Sequence, residues 1–138
     1  MFLVDTNVIS ELPKRRPDVG VIEWFGTLDA LVLSAITVEE LSFGIERAPP
    51  DKAAKLRPWF DRLMAIPPTI IAVDQAIARA AGLLRARREK AGRVAAQADM
   101  LVAATALVTG RTLVARNVKH FEGLGVTVLN PFSSPAGP

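Results

Sequence analysis

Five short runs of branched and apolar residues, "FLV", "LVLSA", "TIIAV", "TLVA" and "VTVLN", are each separated from the next by longer segments with helical spacing. This alternation is the strongest constraint on the fold. Consecutive strands joined through a helix cannot form hairpins, so they must pair in parallel, with helices covering both faces of the sheet. The pattern predicts strands at 2–5, 31–35, 69–73, 112–115 and 126–130. A short helix follows the first strand and ends at Pro13, and residues 19–28 place Val21, Ile22, Trp24, Phe25 and Leu28 on one apolar face. "TVEELSFGIERA" reads as a helix stopped by Pro49 and Pro50, and 51–66 as an amphipathic helix closed by Pro67 and Pro68. Asp74 is placed to cap a long helix over 75–90. Gly92 then separates it from a nearly all-apolar helix over 96–108, which Gly110 ends. The fold class is α/β.

A chain of 138 residues, half of them apolar, fits one domain with an ample core. The absence of cysteine excludes disulfides, zinc thiolate sites and thiol catalysis, and a lone histidine, His120, excludes multi-histidine zinc centres. The longest apolar run, "MLVAATALV", has nine residues against the ~20 that span a bilayer. No signal-peptide pattern opens the chain, and the expectation is a soluble, cytoplasmic protein. Net charge is +3. The cations cluster, with Arg85, Arg87, Arg88, Lys90 and Arg93 in one group and Lys14, Arg15 and Arg16 in another. Solvated surfaces and polyanion contacts both remain open for them.

In open parallel sheets, sites form beyond the carboxyl ends of the strands. Asp5, Ser34, Asp74 and the pair Arg116–Asn117 fall at such ends. Asp5 is an ordinary helix cap on one reading, yet Thr6 and Asn7 cap equally well and leave that role unforced. Glu40 completes a capping box with Thr37 on one reading and overhangs the sheet edge on the other. Asp99 is harder to place structurally. Its helix is apolar all round, which predicts burial, and no Lys or Arg lies within a turn to pair with it. A bound cation explains it better than an ion pair from elsewhere. Three carboxylates without histidine or cysteine suit a hard ion such as Mg²⁺ or Mn²⁺, and such ions act on phosphodiesters.

The stretches "FLVDTNVISEL", "LSAITVEELSFGI", "ADMLVAATAL" and "LVARNVKHFEGLGVTVLNP", in this order, resemble the motifs of PIN-domain ribonucleases, and within them the VapC-type toxins of toxin–antitoxin pairs. The resemblance spans residues 2 to about 132. It implies a PIN-like three-layer α/β/α sandwich with a five-stranded parallel sheet, as a single domain over 1–132 with a short flexible tail at 133–138. It also implies Mg²⁺- or Mn²⁺-dependent endoribonuclease activity, a small antitoxin partner and a homodimer. Asp5, Glu40 and Asp99 match the family's metal-binding acids, while Thr6 and Ser34 match supporting polar positions. Asn117 and His120 occupy the two places where a fourth acid commonly stands. Asn117 therefore joins the catalytic set as a neutral residue, which puts a second metal in question. Arg116 and Lys119 would attract the RNA backbone. The first helices and the 51–66 helix would form the antitoxin groove and use Trp59 and Phe60, with Trp24 in the core. A receiver module lacks its second acid and its lysine here, and a haloacid-dehalogenase-like phosphatase lacks an acid at Asn7. A non-catalytic partner-binding protein of the same fold and a housekeeping RNA-processing nuclease remain the alternatives.

Overall fold

The computed structural model describes residues 1–65 and 68–133. The chain runs β1 (Phe2–Val4), α1 (Thr6–Ile9), α2 (Val19–Phe25), β2 (Val32–Ser34), α3 (Ala35–Arg47), α4 (Pro50–Ala65), β3 (Thr69–Ile71), α5 (Gln75–Lys90), α6 (Gln97–Val108), β4 (Thr112–Val114), a 3₁₀ turn (Val118–Phe121) and β5 (Val128–Leu129). All strand pairing is parallel, with Leu3 opposite Leu113, Leu113 opposite Val128 and Leu33 opposite Ile70. Among the described residues, no helix is long and apolar enough to cross a membrane.

The expected single five-stranded sheet is hydrogen-bonded instead as two ladders, β1-β4-β5 and β2-β3. β1 and β2 lie side by side without ladder bonds. The strands are only three residues long, and helices begin almost at once beyond them, α1 at Thr6 and α3 at Ala35. A strand presents alternate residues to its two neighbours, and the Asp5 N–H is directed to Val114 of β4 at 2.9 Å. Little backbone is left facing β2. The spatial order is thus 3-2-1-4-5, and its direction reverses between β1 and β4, which places the crevice beyond Asp5 and Ala115.

Period-two alternation makes the three layers. Leu3 and Leu113 point into one core with Ile77, Leu84, Met100 and Phe121. Their neighbours Val4 and Val114 point into the other with Val8, Val21, Leu33 and Leu41. Asp74 caps α5 as expected, accepting from the Ile77 N–H at 2.9 Å. Trp24 is partly buried and packs against the core, edge-on to Phe2 and Phe25. Residues 66 and 67, the expected close of the fourth helix, lie outside the described residues.

The expected tail boundary shifts. Ser133 is tied down, its N–H and hydroxyl donating to Asp18 at 3.0 and 2.8 Å. Asp18 also caps α2, and its carboxyl is held below the usual range by the Ser133 amide, with the Ser133 hydroxyl and the amides of Val21 and Gly20 adding to this. A side chain at Gly20 would strike the Pro131 carbonyl and the Ser133 amide, so this crossing requires glycine. The rest of the expected tail, 134–138, lies outside the described residues.

Candidate active site

Asp5 occupies the N-cap position of α1 in extended conformation, yet its side chain makes no capping hydrogen bond. The carboxylate is buried and left for something else. Burial pushes its pKa up to about 7. The Thr6 amide opposes this, and the charges of Asp99 and Glu40 reinforce it. Carboxylates from β1, α3 and α6 therefore act on one another at a single edge of the sheet.

The residue next to Asp5 links two of these elements. The Thr6 hydroxyl donates to Glu40 Oε1 at 2.6 Å and lies 3.4 Å from the Thr37 hydroxyl. The capping-box reading of Glu40 fails, because α3 starts three residues earlier than the Thr37 register needs. Ser34 caps it instead, accepting from the Ile36 N–H at 3.0 Å. Thr37 sits fully buried inside the helix, and the Glu40 carboxylate is turned toward α1. Glu39, 100° around the helix, is exposed.

Asp99 departs from expectation in two ways. Its helix begins only at Gln97, so Asp99 stands in the first turn, where the helix dipole favours an acid. Its side chain is 30% exposed rather than enclosed, and it has a partner, with His120 Nδ1 lying 3.3 Å from Asp99 Oδ2. Burial still raises the Asp99 pKa, against the pull of His120 and of Arg88.

Comparisons with known proteins identify the family. The family model described as "PIN domain" matches residues 2–124. The chain belongs to the PIN-domain family. It is 36% identical to the VapC ribonuclease Y4jK of Sinorhizobium fredii, over 96% of this chain and 98% of that one. Toxin FitB of Neisseria gonorrhoeae is 34% identical over 96% and 99% of the two chains. The crystal structure of FitAcB from the same organism superposes with a TM-score of 0.84 at 33% identity, covering 95% and 98%. Within the PIN family, these likenesses place the chain among the VapC-type toxins.

The remaining candidate residues of this PIN domain follow β4. Asn117 precedes the 3₁₀ turn, and its side chain makes no cap hydrogen bond there. The Arg116 guanidinium lies over the Phe132 ring, 4.5 Å from its centroid, and Lys119 is exposed. Among the described residues, no three acids or histidines close into a ready-made metal cage. The donor chemistry still fits a hard divalent ion. All three ligand candidates are carboxylates, burial and then the neighbouring acids push the Asp5 carboxyl up to about 7, a shift that a cation beside it would oppose, and Mg²⁺ in particular takes one or two carboxylates and keeps several waters.

Two charged residues went unrecognised in the sequence. Arg88, grouped there with the surface cations, is buried and donates to the carbonyls of Val94, Glu122 and Lys119 at 2.7, 2.8 and 3.1 Å. It ties the segment leading into α6 to the turn carrying His120. Its signal was the helical spacing of the buried stripe Ile77, Ala81, Leu84, Arg88. Glu11 is also buried, accepting from the Asp18 N–H at 2.8 Å and pairing with Lys14 at 2.7 Å.

Thr6 and Glu40 also line a cavity of about 730 Å³ between α3, α4 and the segment after α1. Trp59 lines it, whereas Phe60 packs against the core. The cavity differs from the groove expected between the first helices and the fourth: α3 lines it where α2 was expected, and Trp59 is the one expected aromatic that reaches it.

Proposed function

We propose that this chain is the endoribonuclease toxin of a toxin–antitoxin pair, and that its cleavage of RNA depends on Mg²⁺ or Mn²⁺ held by Asp5, Glu40 and Asp99. The observation that carries the reading is Asp5, a buried carboxylate at a strand end that caps nothing and is pushed up to about 7 with Asp99 and Glu40 contributing. A fold that keeps such a charge without a structural use for it is arranged to spend it on a ligand.

When bound, the cation supplies Lewis acidity toward the phosphodiester and lowers the pKa of a water. The chain's own residues prepare the place. Thr6 turns the Glu40 carboxylate inward by a 2.6 Å hydrogen bond. Ser34 sets the start of α3 and therefore where Glu40 projects. His120 steadies Asp99. Asn117, neutral and uncapped, is free to orient a water or a phosphate oxygen through its amide. Arg116 and Lys119 flank it with positive charge for the RNA backbone. The chain acts as a homodimer, and a small antitoxin silences it.

Cleavage of RNA by the purified protein should require Mg²⁺ or Mn²⁺ and cease with EDTA. Asp99→Asn should abolish it while leaving the melting temperature unchanged or raised, because charge beside Asp5 is removed. Undiminished cleavage by pure Asp99→Asn protein would remove Asp99 from the site.

A further inference from the structure

The segment that follows β5 is fastened at every step. The Ala115 N–H of the β4 end donates to the Leu129 carbonyl at 3.0 Å. The chain then turns, and the Phe132 N–H donates back to Asn130 Oδ1 at 3.0 Å. Between them, Pro131 fixes its own backbone angle. One residue further on, Ser133 is anchored to Asp18 by its amide and its hydroxyl, over a crossing that a side chain at Gly20 would obstruct. Phe132 is therefore pinned on both sides.

The pinned ring packs partly against the core of Val4 and Val114 and partly against a cation, the Arg116 guanidinium, 4.5 Å from the ring centroid. Arg116 directly follows Ala115, at the sheet edge where Asp5 also stands. A ring covers one face of a planar guanidinium and leaves the N–H donors around its edge. Those of Arg116 are unspent. Among the described residues, the arginine side chains that donate hydrogen bonds are those of Arg57, Arg88, Arg93 and Arg111, and Arg116 forms no ion pair. The other such contact, Arg47 over Phe43, joins two residues of one helix at i, i+4 and needs no strap to form.

We propose that Phe132 is a positioning residue for RNA cleavage. The strap over 130–133 holds its ring against Arg116, and the guanidinium, kept in one orientation, grips a phosphate of the RNA strand with its free edge. The inference rests on the ribonuclease reading and deepens it by assigning one phosphate contact and the residue that sets it. Arginine carries a large rotamer entropy, and ordering it in advance removes that cost from binding. The planar fork also matches two phosphate oxygens only when its orientation is right.

The test measures affinity for a fluorescently labelled 12-nucleotide single-stranded RNA across a range of KCl, with the full chain in EDTA to prevent cutting. Arg116→Gln removes one phosphate contact, so it should lose about 0.7 from the slope of log affinity against log salt. Phe132→Leu keeps that charge and an apolar side chain but has no ring. It should keep the parent's slope and lose roughly fivefold in affinity, the size of a partly buried cation–π contact. Phe132→Met, also apolar and ringless, should behave alike, and melting curves show that each variant is folded. Phe132→Tyr restores the ring and should bind like the parent. In an Arg116→Gln background, Phe132→Leu should cost nothing further.

Parental affinity in the ringless variants would overturn the proposal. Equal losses with leucine, methionine and tyrosine would do the same, because Phe132 would then only fill space. A loss that persists in the Arg116→Gln background would mean that the ring meets RNA itself, and it too would overturn the positioning role. All three results leave the nuclease reading standing, whereas a parent that neither binds nor cuts RNA would end both readings.

Discussion

Replacing Asp5 with asparagine should stabilise the metal-free protein, and by an amount that depends on pH. The Asp5 carboxyl ordinarily titrates at 3.8 and is pushed up to about 7, chiefly by burial, with Asp99 and Glu40 adding to it against the Thr6 amide. At about 1.36 kcal/mol for each tenfold change in proton affinity, keeping it ionised costs the folded state roughly 4 kcal/mol. The folded form holds this proton more tightly than the unfolded chain does, so folding takes up a proton between about pH 4 and 7. Stability therefore falls as pH rises through that window and is level above it. At pH 5 only about a third of the penalty is in force.

Asparagine carries no charge at either pH but leaves a buried amide to satisfy, which offsets about 1–2 kcal/mol of the gain. For a chain of this size a remaining 2–3 kcal/mol corresponds to roughly 5–10 °C in melting temperature. The assay is thermal unfolding in EDTA at pH 8.5 and pH 5. The variant should melt 5–10 °C above the parent at pH 8.5, with less than half that margin at pH 5. Added Mn²⁺ should raise the parent's melting temperature by mass action on the folded state and leave the variant unmoved. Equal melting at pH 8.5, or a margin that ignores pH, would mean that the Asp5 charge is compensated within the fold and that its availability for a cation has been misjudged.

Ser34→Ala should lower stability by about 1 kcal/mol through loss of the α3 cap, whereas Glu40→Gln, which retains an oxygen for the Thr6 hydroxyl, should melt like the parent and lose RNA cleavage. A Glu40→Gln protein as active as the parent would exclude Glu40 as a ligand. Arg88→Gln should be the most damaging of these changes, at about 3 kcal/mol or more by denaturant titration, because it strands buried carbonyls around Val94, Lys119 and Glu122. Mn²⁺ titration should find about one tight site in the parent and a second in Asn117→Asp, whose added carboxylate supplies charge for another ion. Two equally tight parent sites would show that Asn117 does not limit metal loading.

The strand–helix alternation and the proline and glycine stops were legible because they are local. The helix over 75–90 and its Asp74 cap match the structure residue for residue. The sheet was less legible. Parallel pairing follows from the alternation, but the open seam between β1 and β2 depends on where α1 and α3 start, and Ser34 shifted the second of these. The capping-box pattern at Thr37–Glu40 was a sound local reading overruled by an equally local one three residues upstream. Arg88 was misread because a cation among cations carries no sign of burial. Only its register with Ile77, Ala81 and Leu84 distinguishes it, and the carbonyls it satisfies lie up to 34 residues away.

Asp99 keeps its place in the proposed site on premises that differ from those the sequence suggests. The anomaly was framed as an unpaired carboxylate enclosed in an apolar helix, and it is neither fully enclosed nor unpaired. What remained valid was the chemistry of the set. His120 can offset Asp99 only while protonated, and the Arg88 guanidinium is spent on three carbonyls, so among the described residues Asp5 is left with two acids for neighbours and no ion-pair partner. A structural ion pair would have been built around Asp5 first, since it is the most buried of the three acids. The fold instead places partners around its periphery, Thr6 on Glu40 and His120 on Asp99, and leaves the centre negative. That distribution supports the proposed reading, in which a cation that arrives after folding sits nearest Asp5.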